Sequence, residues 1–379
     1  MRHLYLDYCA TTPIAPSVRE AMLPFLGEHY GNPSSAHVLG RAALEAIEDA
    51  RGQVAGLLGA DPEEIVFTSG GTESNNLALI GLALRGGRSA GGHLVISAIE
   101  HPSVVEPVRF LERLGFDVSI VPVTGQGVVQ ATAVGHALRD DTLLVSVMHA
   151  NNEVGTLQPL KQLADVCHEA GIVLHTDAAQ TVGKIRTHVD ELEVDLLTIA
   201  GHKLYAPKGV GALFVRQGVG LEPLLHGAAQ ESGLRAGTEN VAGIVGLGAA
   251  ASLAGKSLDA AQQRLIELQG QLLTALRAGV GQGLVVHGQL APRLPGLLSV
   301  AFPGASGSEL LSRTPEMCAS TGAACHSGTV TMSPTLEAMG VPPEIARGTI
   351  RLSLGRYSSE EEVERAASLL IGAWEAVRE

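Results

Sequence analysis

Residues 143–180 read LLVSVMHANNEVGTLQPLKQLADVCHEAGIVLHTDAAQ, and the order of patterns within them decides the fold class. LLVSV (143–147) is a short apolar run, and LKQLADVCHEAG carries apolar residues at helical spacing. Gly171 stands where a helix C-cap would, and IVLHT (172–176) is a second apolar run. Strand, helix, strand in so short a span is a βαβ unit, which needs parallel strands. The alternation extends outward on both sides. Upstream lie EIVFT (64–68), HLVIS (93–97) and DVSIV (117–121), with SVVEPVRFLERLG and its terminal Gly115 as a further helix; downstream lie DLLTI (195–199) and ALFV (212–215). We therefore expect an α/β fold with a mostly parallel seven-stranded sheet and helices on both faces. No full helix separates the last two strands, so the sheet should be mixed.

After about residue 235 the pattern changes. Helical spacing runs from roughly 240 to 278, followed by LVVHG, LLSVAF, IRLSLGR and a final helix from Ser359. This predicts a large domain over 15–255 and a smaller α/β domain made of 1–14 and 256–379.

The chain has 379 residues and a net charge of −13, with 45% hydrophobic residues, enough for a sizeable core. An acidic chain without a Lys/Arg-rich stretch gives a phosphate backbone little to hold, so no nucleic-acid partner is expected. The start, MRHLYLDYCATTP, lacks the apolar core of a signal peptide, and no apolar run is expected to span a membrane; NVAGIVGLGAAASLAG (240–255) is apolar but Gly-rich. Cysteines 9, 167, 318 and 325 form no CxxC pair and no disulfide framework. The expectation is a cytoplasmic protein with reduced thiols and no metal site.

In an open parallel sheet, ligands bind beyond the carboxyl ends of the strands. Four motifs occupy such places. FTSGGTESNN (67–76) is a strand, a Gly pair and a helix start; it suits a phosphate, or an ordinary capped βα turn with Thr72 as cap. In HTDAAQ (175–180), Asp177 follows an apolar strand, where a carboxylate is a helix N-cap or the partner of a protonated ring nitrogen. In TIAGHKLYAPKG (198–209), Lys203 is placed for a Schiff base, or is a surface-loop lysine. Lys161 and Lys256 read as helix surface, and Lys184 and Lys208 as turn residues. CASTGAACHSGTVTMSP (318–334) is rich in small polar residues, which predicts a mobile segment, with Cys325 as a reactive thiol in its middle. Cys318 and Cys325 lack zinc-ligand spacing.

Taken in order, these strings resemble the pyridoxal-phosphate-dependent cysteine desulfurases of the iron–sulfur cluster and nitrogen-fixation type, in the class-V aminotransferase family. The resemblance runs from YLDYCATTP (5–13) and GNPSSAH (31–37) through SGGTESNN, EHPS (100–103), HANNEVG (149–155), HTDAAQ, GHK and RAGTEN (235–240) to GAACHSG (322–328) and RLSLGR (351–356). It implies the type I, aspartate-aminotransferase-like fold of PLP-dependent transferases and the cofactor pyridoxal 5′-phosphate.

The resemblance also implies roles. Lys203 matches the lysine that binds the cofactor and shuttles the substrate α-proton; Asp177 matches the carboxylate on the pyridine nitrogen. His101 matches the imidazole stacked on the ring, and Gln180 the partner of the ring hydroxyl. Gly71, Thr72 and His202 match phosphate-side positions, and Thr238 matches a ligand donated by a neighbouring subunit, which implies a homodimer. Asn152 matches an amide near cofactor and substrate, and Arg351 the clamp of the substrate carboxylate. Cys325 matches the nucleophile that takes sulfur from L-cysteine as a persulfide, leaving alanine, for transfer to a sulfur acceptor or iron–sulfur scaffold protein. His101 is expected to accept the thiol proton in preference to His326. Ala200 stands where many relatives carry serine, and Cys9 replaces a small polar residue. Selenocysteine lyase is the alternative within the family, followed by a true aminotransferase that would not need Cys325. A catalytically silent, scaffold-binding subunit is the alternative outside catalysis.

Overall fold

Each of the seven strand candidates between residues 64 and 215 becomes a strand of one sheet. In the computed structural model, which describes residues 3–321, 323–326 and 329–378 (for 323–326 and 329–331 the backbone alone), the chain opens with β1 (Leu4–Tyr5). The sheet strands follow as β2 (Ile65–Thr68), β3 (His93–Ser97), β4 (Asp117–Val121), β5 (Thr142–Ser146), β6 (Val173–Asp177), β7 (Leu196–Ala200) and β8 (Gly211–Val215). Their order is β2-β8-β7-β6-β5-β3-β4, and β8 runs antiparallel to both neighbours while every other pairing is parallel. The mixed sheet anticipated from the missing helix between β7 and β8 is therefore present. Because β8 reverses, the carboxyl ends of β2, β3, β5, β6 and β7 all lie along one edge.

Both faces of the sheet are covered, which is why its strands are apolar runs and not alternating ones. On one face Phe67, Val95, Val145, Leu197 and Phe214 pack with Val54, Leu58, Leu247 and Ala254. On the other, Val66, Leu94, Leu144, Leu196 and Leu213 pack with Leu77, Leu79, Val108 and Leu111. The edge strand β4 is largely exposed.

The helix Val241–Val280 joins this sheet to a second core. Val241–Gly283 contains a window long and apolar enough to cross a membrane by length and composition, contrary to the expectation that no run reaches that length. Packing explains it: the helix lies along helix Val38–Leu58, and a Cβ on Gly248 would sit 2.6 Å from the Ala50 Cα. Small residues there let two helices approach closely. Further along, Leu265, Leu268, Leu272 and Leu276 recur at three- and four-residue spacing and bury one stripe.

That stripe covers the second sheet, built from β9 (Val285–Val286), β10 (Leu297–Ala301), β12 (Ser320–Thr321) and β15 (Thr349–Ser353) in the antiparallel order β12-β15-β10-β9. The intervening β11 (Met317–Cys318) pairs in parallel with β1, so Leu4 and Leu6 join this core with Val363, Leu370 and Trp374 of the last helix. The backbones of β13 (Ala323–His326) and β14 (Thr329–Met332) pair as an antiparallel ribbon where a mobile segment was expected. The Cys325 side chain, like that of His326, lies outside the described residues.

Candidate active site

A cavity of about 300 Å³ opens at the common strand edge. Its wall includes Gly71, Thr72, His101, Asn152, Asp177, Gln180, His202, Lys203 and Arg351, together with Cys9, Ser103, Met148 and Ala200. A larger groove of about 880 Å³, lined by Leu44, Arg51, Gln217 and Glu231 among others, contains none of the residues singled out from sequence.

The end of β2 forms an anion cradle. Gly70 caps helix Gly71–Ala83 at φ +150°, a backbone state open essentially to glycine alone. A Cβ on Gly71 would lie 3.1 Å from the Ala200 Cβ, so the turn is pressed onto the end of β7. Free N–H groups and the helix dipole then favour a negative group beside Thr72. Glu73, in the first turn, accepts from the Ser69 N–H at 2.8 Å and pairs with Arg235 at 3.0 Å, which holds its carboxyl below the usual range against the opposing effect of burial.

Asp177 closes β6. Its Oδ1 accepts from the Ala179 N–H at 2.9 Å and its Oδ2 from the Asn75 amide at 2.8 Å. The same amide nitrogen donates to the Ser103 hydroxyl at 2.8 Å, and that hydroxyl lies 2.7 Å from His101 Nδ1. Burial pushes the His101 imidazole below its ordinary value; Asp177 opposes this and Lys203 reinforces it.

Lys203 ends the short turn after β7. Burial lowers its ammonium, partly opposed by Asp177, and among the described residues no hydrogen bond holds its Nζ. A second, half-buried lysine, Lys184, donates to Gln180 Oε1 at 3.1 Å, which leaves the Gln180 amide nitrogen to face Cys9, whose carbonyl accepts from it at 3.0 Å. His202 Nδ1 pairs with the Thr11 hydroxyl at 3.1 Å, and burial, aided by the neighbouring lysines, pushes its imidazole down to about 4.

At the other wall, Arg351 donates from Nη1 to the Asn152 carbonyl at 2.9 Å and from Nη2 to Asp7 at 2.7 Å and Ser320 at 3.1 Å. Its Nε is buried with no partner among the described residues. Thr238 is exposed and does not line the cavity of its own chain.

Comparison with known proteins decides the family. The sequence pattern described as Aminotransferase class-V matches residues 4–366. The chain belongs to the class-V aminotransferase family. This class-V aminotransferase is 46% identical over 371 residues to a protein named cysteine desulfurase IscS from Dictyoglomus turgidum, covering 97% of this chain and 94% of that one. It is 43% identical to cysteine desulfurase IscS 1 of Archaeoglobus fulgidus, covering 99% and 97% of the two chains. Among solved structures it superposes on a NifS-like protein with a TM-score of 0.90 at 38% identity, covering 99% of both chains. It also superposes on SspA in complex with cysteine, with a TM-score of 0.82 at 39% identity, covering 94% of this chain and 99% of that one.

The cavity of this class-V aminotransferase suits an aromatic aldehyde that carries a phosphate. It offers an anion cradle where a Cβ on Gly71 would be tightly placed, a lysine amine without a hydrogen bond among the described residues, and a buried carboxylate for a ring nitrogen. Reasoning from residue types missed Asp7, Asn75, Ser103 and Lys184. Asp7 stands within YLDYCATTP and Asn75 within SGGTESNN, so the motifs contained them, but their partners are 344 and 102 residues away.

Proposed function

We propose that this chain is a cysteine desulfurase that uses pyridoxal 5′-phosphate to release sulfur from L-cysteine, giving L-alanine and a persulfide on Cys325. The observation that carries the reading is the convergence of Lys203, whose Nζ has no hydrogen bond among the described residues, and buried Asp177 on one cavity whose far wall is Arg351. When bound, the cofactor supplies an aldehyde for an amine and a ring that takes up the electron pair left by a departing α-proton.

The chain's own residues do the rest. Gly71, Thr72 and His202 bind the phosphate, and Asp177 holds a proton on the ring nitrogen. His101 covers the ring face, and Gln180, its orientation set by Lys184, donates to the ring hydroxyl. Lys203 Nζ moves the substrate α-proton, and a lysine of lowered pKa is a better base for that task. Arg351, steadied by Asp7 and the Asn152 carbonyl, orients the substrate carboxylate. Cys325 supplies the thiolate that takes the sulfur.

In the same reading Thr238 completes the phosphate site of a second copy, making a homodimer, and the persulfide passes to a sulfur-acceptor or iron–sulfur scaffold protein in the cytoplasm. Residues 15–255 form the cofactor domain; 1–14 and 256–379 form the smaller domain that carries Cys325.

The test is Cys325→Ser. It should abolish sulfide and alanine release while the visible absorbance of the bound cofactor survives; full sulfide release by the variant would sink the assignment. Alanine yield from selenocysteine against cysteine decides the substrate.

A further inference from the structure

Four polar side chains in and just behind the cavity wall, three of them buried, form a hydrogen-bond chain. Asn75 is fully buried, and Ser103 and Asp177 are nearly so. Asp177 Oδ2 is a carboxylate oxygen and accepts, so the Asn75 atom 2.8 Å away is its amide nitrogen. The second hydrogen of that nitrogen goes to the Ser103 hydroxyl oxygen at 2.8 Å. That leaves the Ser103 hydroxyl its own proton to give, and it lies 2.7 Å from His101 Nδ1. The Ser103 backbone N–H donates to the same Nδ1 at 3.1 Å, because His101 is the N-cap of helix Pro102–Arg113.

We infer that His101 is locked as the neutral Nε2–H tautomer by Ser103 and Asn75, so that its cavity side is a proton donor and not a base. Two donors converge on Nδ1, and a backbone N–H cannot reverse. A proton on Nδ1 would face both. The ring's single hydrogen is therefore at Nε2, and the ring has no lone pair left for the cavity. The expectation that His101 accepts the thiol proton thus gives way to a donor role toward bound substrate or cofactor. Burial in the same place disfavours the imidazolium; Asp177 and Lys203 are the charged groups that act on the ring, in opposite senses. Asn75 is a positioning residue here: one amide nitrogen fixes Asp177 on one side and the Ser103–His101 pair on the other.

The tautomer stands on the geometry alone, while its part in desulfuration rests on the function proposed above. The experiment separates the two. Histidine labelled with nitrogen-15 in the cofactor-free protein reports each ring nitrogen directly, with the His101 signals assigned by their loss in His101→Gln. At neutral pH, Nε2 should carry the proton and Nδ1 none, with a titration midpoint below that of a free histidine. In Asn75→Leu the Ser103 hydroxyl loses its donor and becomes free to accept, so the His101 midpoint should rise by about one pH unit. In Ser103→Ala the backbone N–H remains and the Nε2–H tautomer should persist. An Nδ1–H or doubly protonated ring in the unsubstituted protein at pH 7 would overturn the inference. So would an Asn75→Leu variant, folded by circular dichroism, whose His101 titration is unmoved. Sulfide release from the loaded enzyme tests the function independently.

Discussion

Asp7 Oδ1 lies 2.7 Å from Arg351 Nη2, so the opening motif of the chain holds the guanidinium near its end. The same oxygen accepts from the Ser320 hydroxyl at 3.0 Å, which binds Arg351 in turn. Orientation is what this triangle supplies. Asp7→Ala should raise the KM for cysteine about ten-fold with a smaller change in kcat, and lower stability by about 1–3 kcal/mol. Asp7→Asn keeps an acceptor for Nη2 while freeing the positive charge, so its KM should stay near or below that of the parent. Equal KM increases in both variants would show that charge, and not geometry, matters.

Glu153 of HANNEVG bonds the hydroxyls of Ser333 and Thr335, and Asn151 donates to Thr335 as well. These contacts anchor the chain just beyond the segment that carries Cys325. Glu153→Ala should lower the rate of sulfide release about ten- to a hundred-fold through misplacement of the thiol. Cofactor absorbance and cysteine binding should be unchanged, and single-turnover kinetics would separate these steps.

Glu231 and Arg51 form a two-pronged ion pair, each contact 2.8 Å, with the glutamate side chain only 3% exposed. Glu231 also accepts from the Phe67 N–H at 2.7 Å, near the end of the strand that leads to the anion cradle. Removing it leaves the Phe67 N–H unpaired and the Arg51 guanidinium with Glu48 and the Ile65 carbonyl as its remaining partners. Glu231→Ala should cost about 2–4 kcal/mol, read as a lower denaturation midpoint at unchanged slope.

Stability should follow pH in two opposed ways. Burial pushes His149, His175, His202 and His287 down to about 4 from an ordinary 6.5. As pH falls from 6.5 to 4 the unfolded chain takes up protons the folded chain refuses, so stability is lost on that side. Glu100, pushed up to about 8 by burial and by Asp177, does the reverse: it keeps a proton that the unfolded chain has released, so stability falls as pH rises from 4.5 to 8. Four groups against one make the acid slope the steeper. Glu100→Gln should remove the alkaline slope, raising Tm over the parent progressively up to pH 8; an unchanged difference between pH 5 and 8 would refute the assignment.

Legibility in the sequence followed the range of the interactions. The inner strands of the large sheet could be read because burial on both faces makes each an apolar run, and the boundaries of its seven strands shifted by a residue at most. Asp177 and Lys203 could be singled out because a charge directly after a buried strand is unusual by itself. His101 carried no such local sign and came only with the family resemblance. Asn75 and Ser103 look like ordinary residues near the starts of two helices, and only the packing of the first helix against β6 and the second brings Asn75 to both Asp177 and Ser103. The long helix was read as Gly-rich and short of membrane length, because the residues that need its glycines belong to another helix far upstream.

The first dozen residues also set a timetable. Leu4 and Leu6 receive backbone bonds from, or give them to, residues 316–318 and 353, Thr12 bonds to His202, and Asp7 waits for Arg351. During synthesis at about 5–20 residues per second, the wait between Asp7 and Arg351 is roughly 20–70 s. The sheet of residues 65–215 can condense well before then, but the cavity has no finished far wall until nearly the whole chain has left the ribosome. On the role proposed for Arg351, a nascent chain cannot hold the amino-acid substrate in place before residue 351 has been made and has met Asp7.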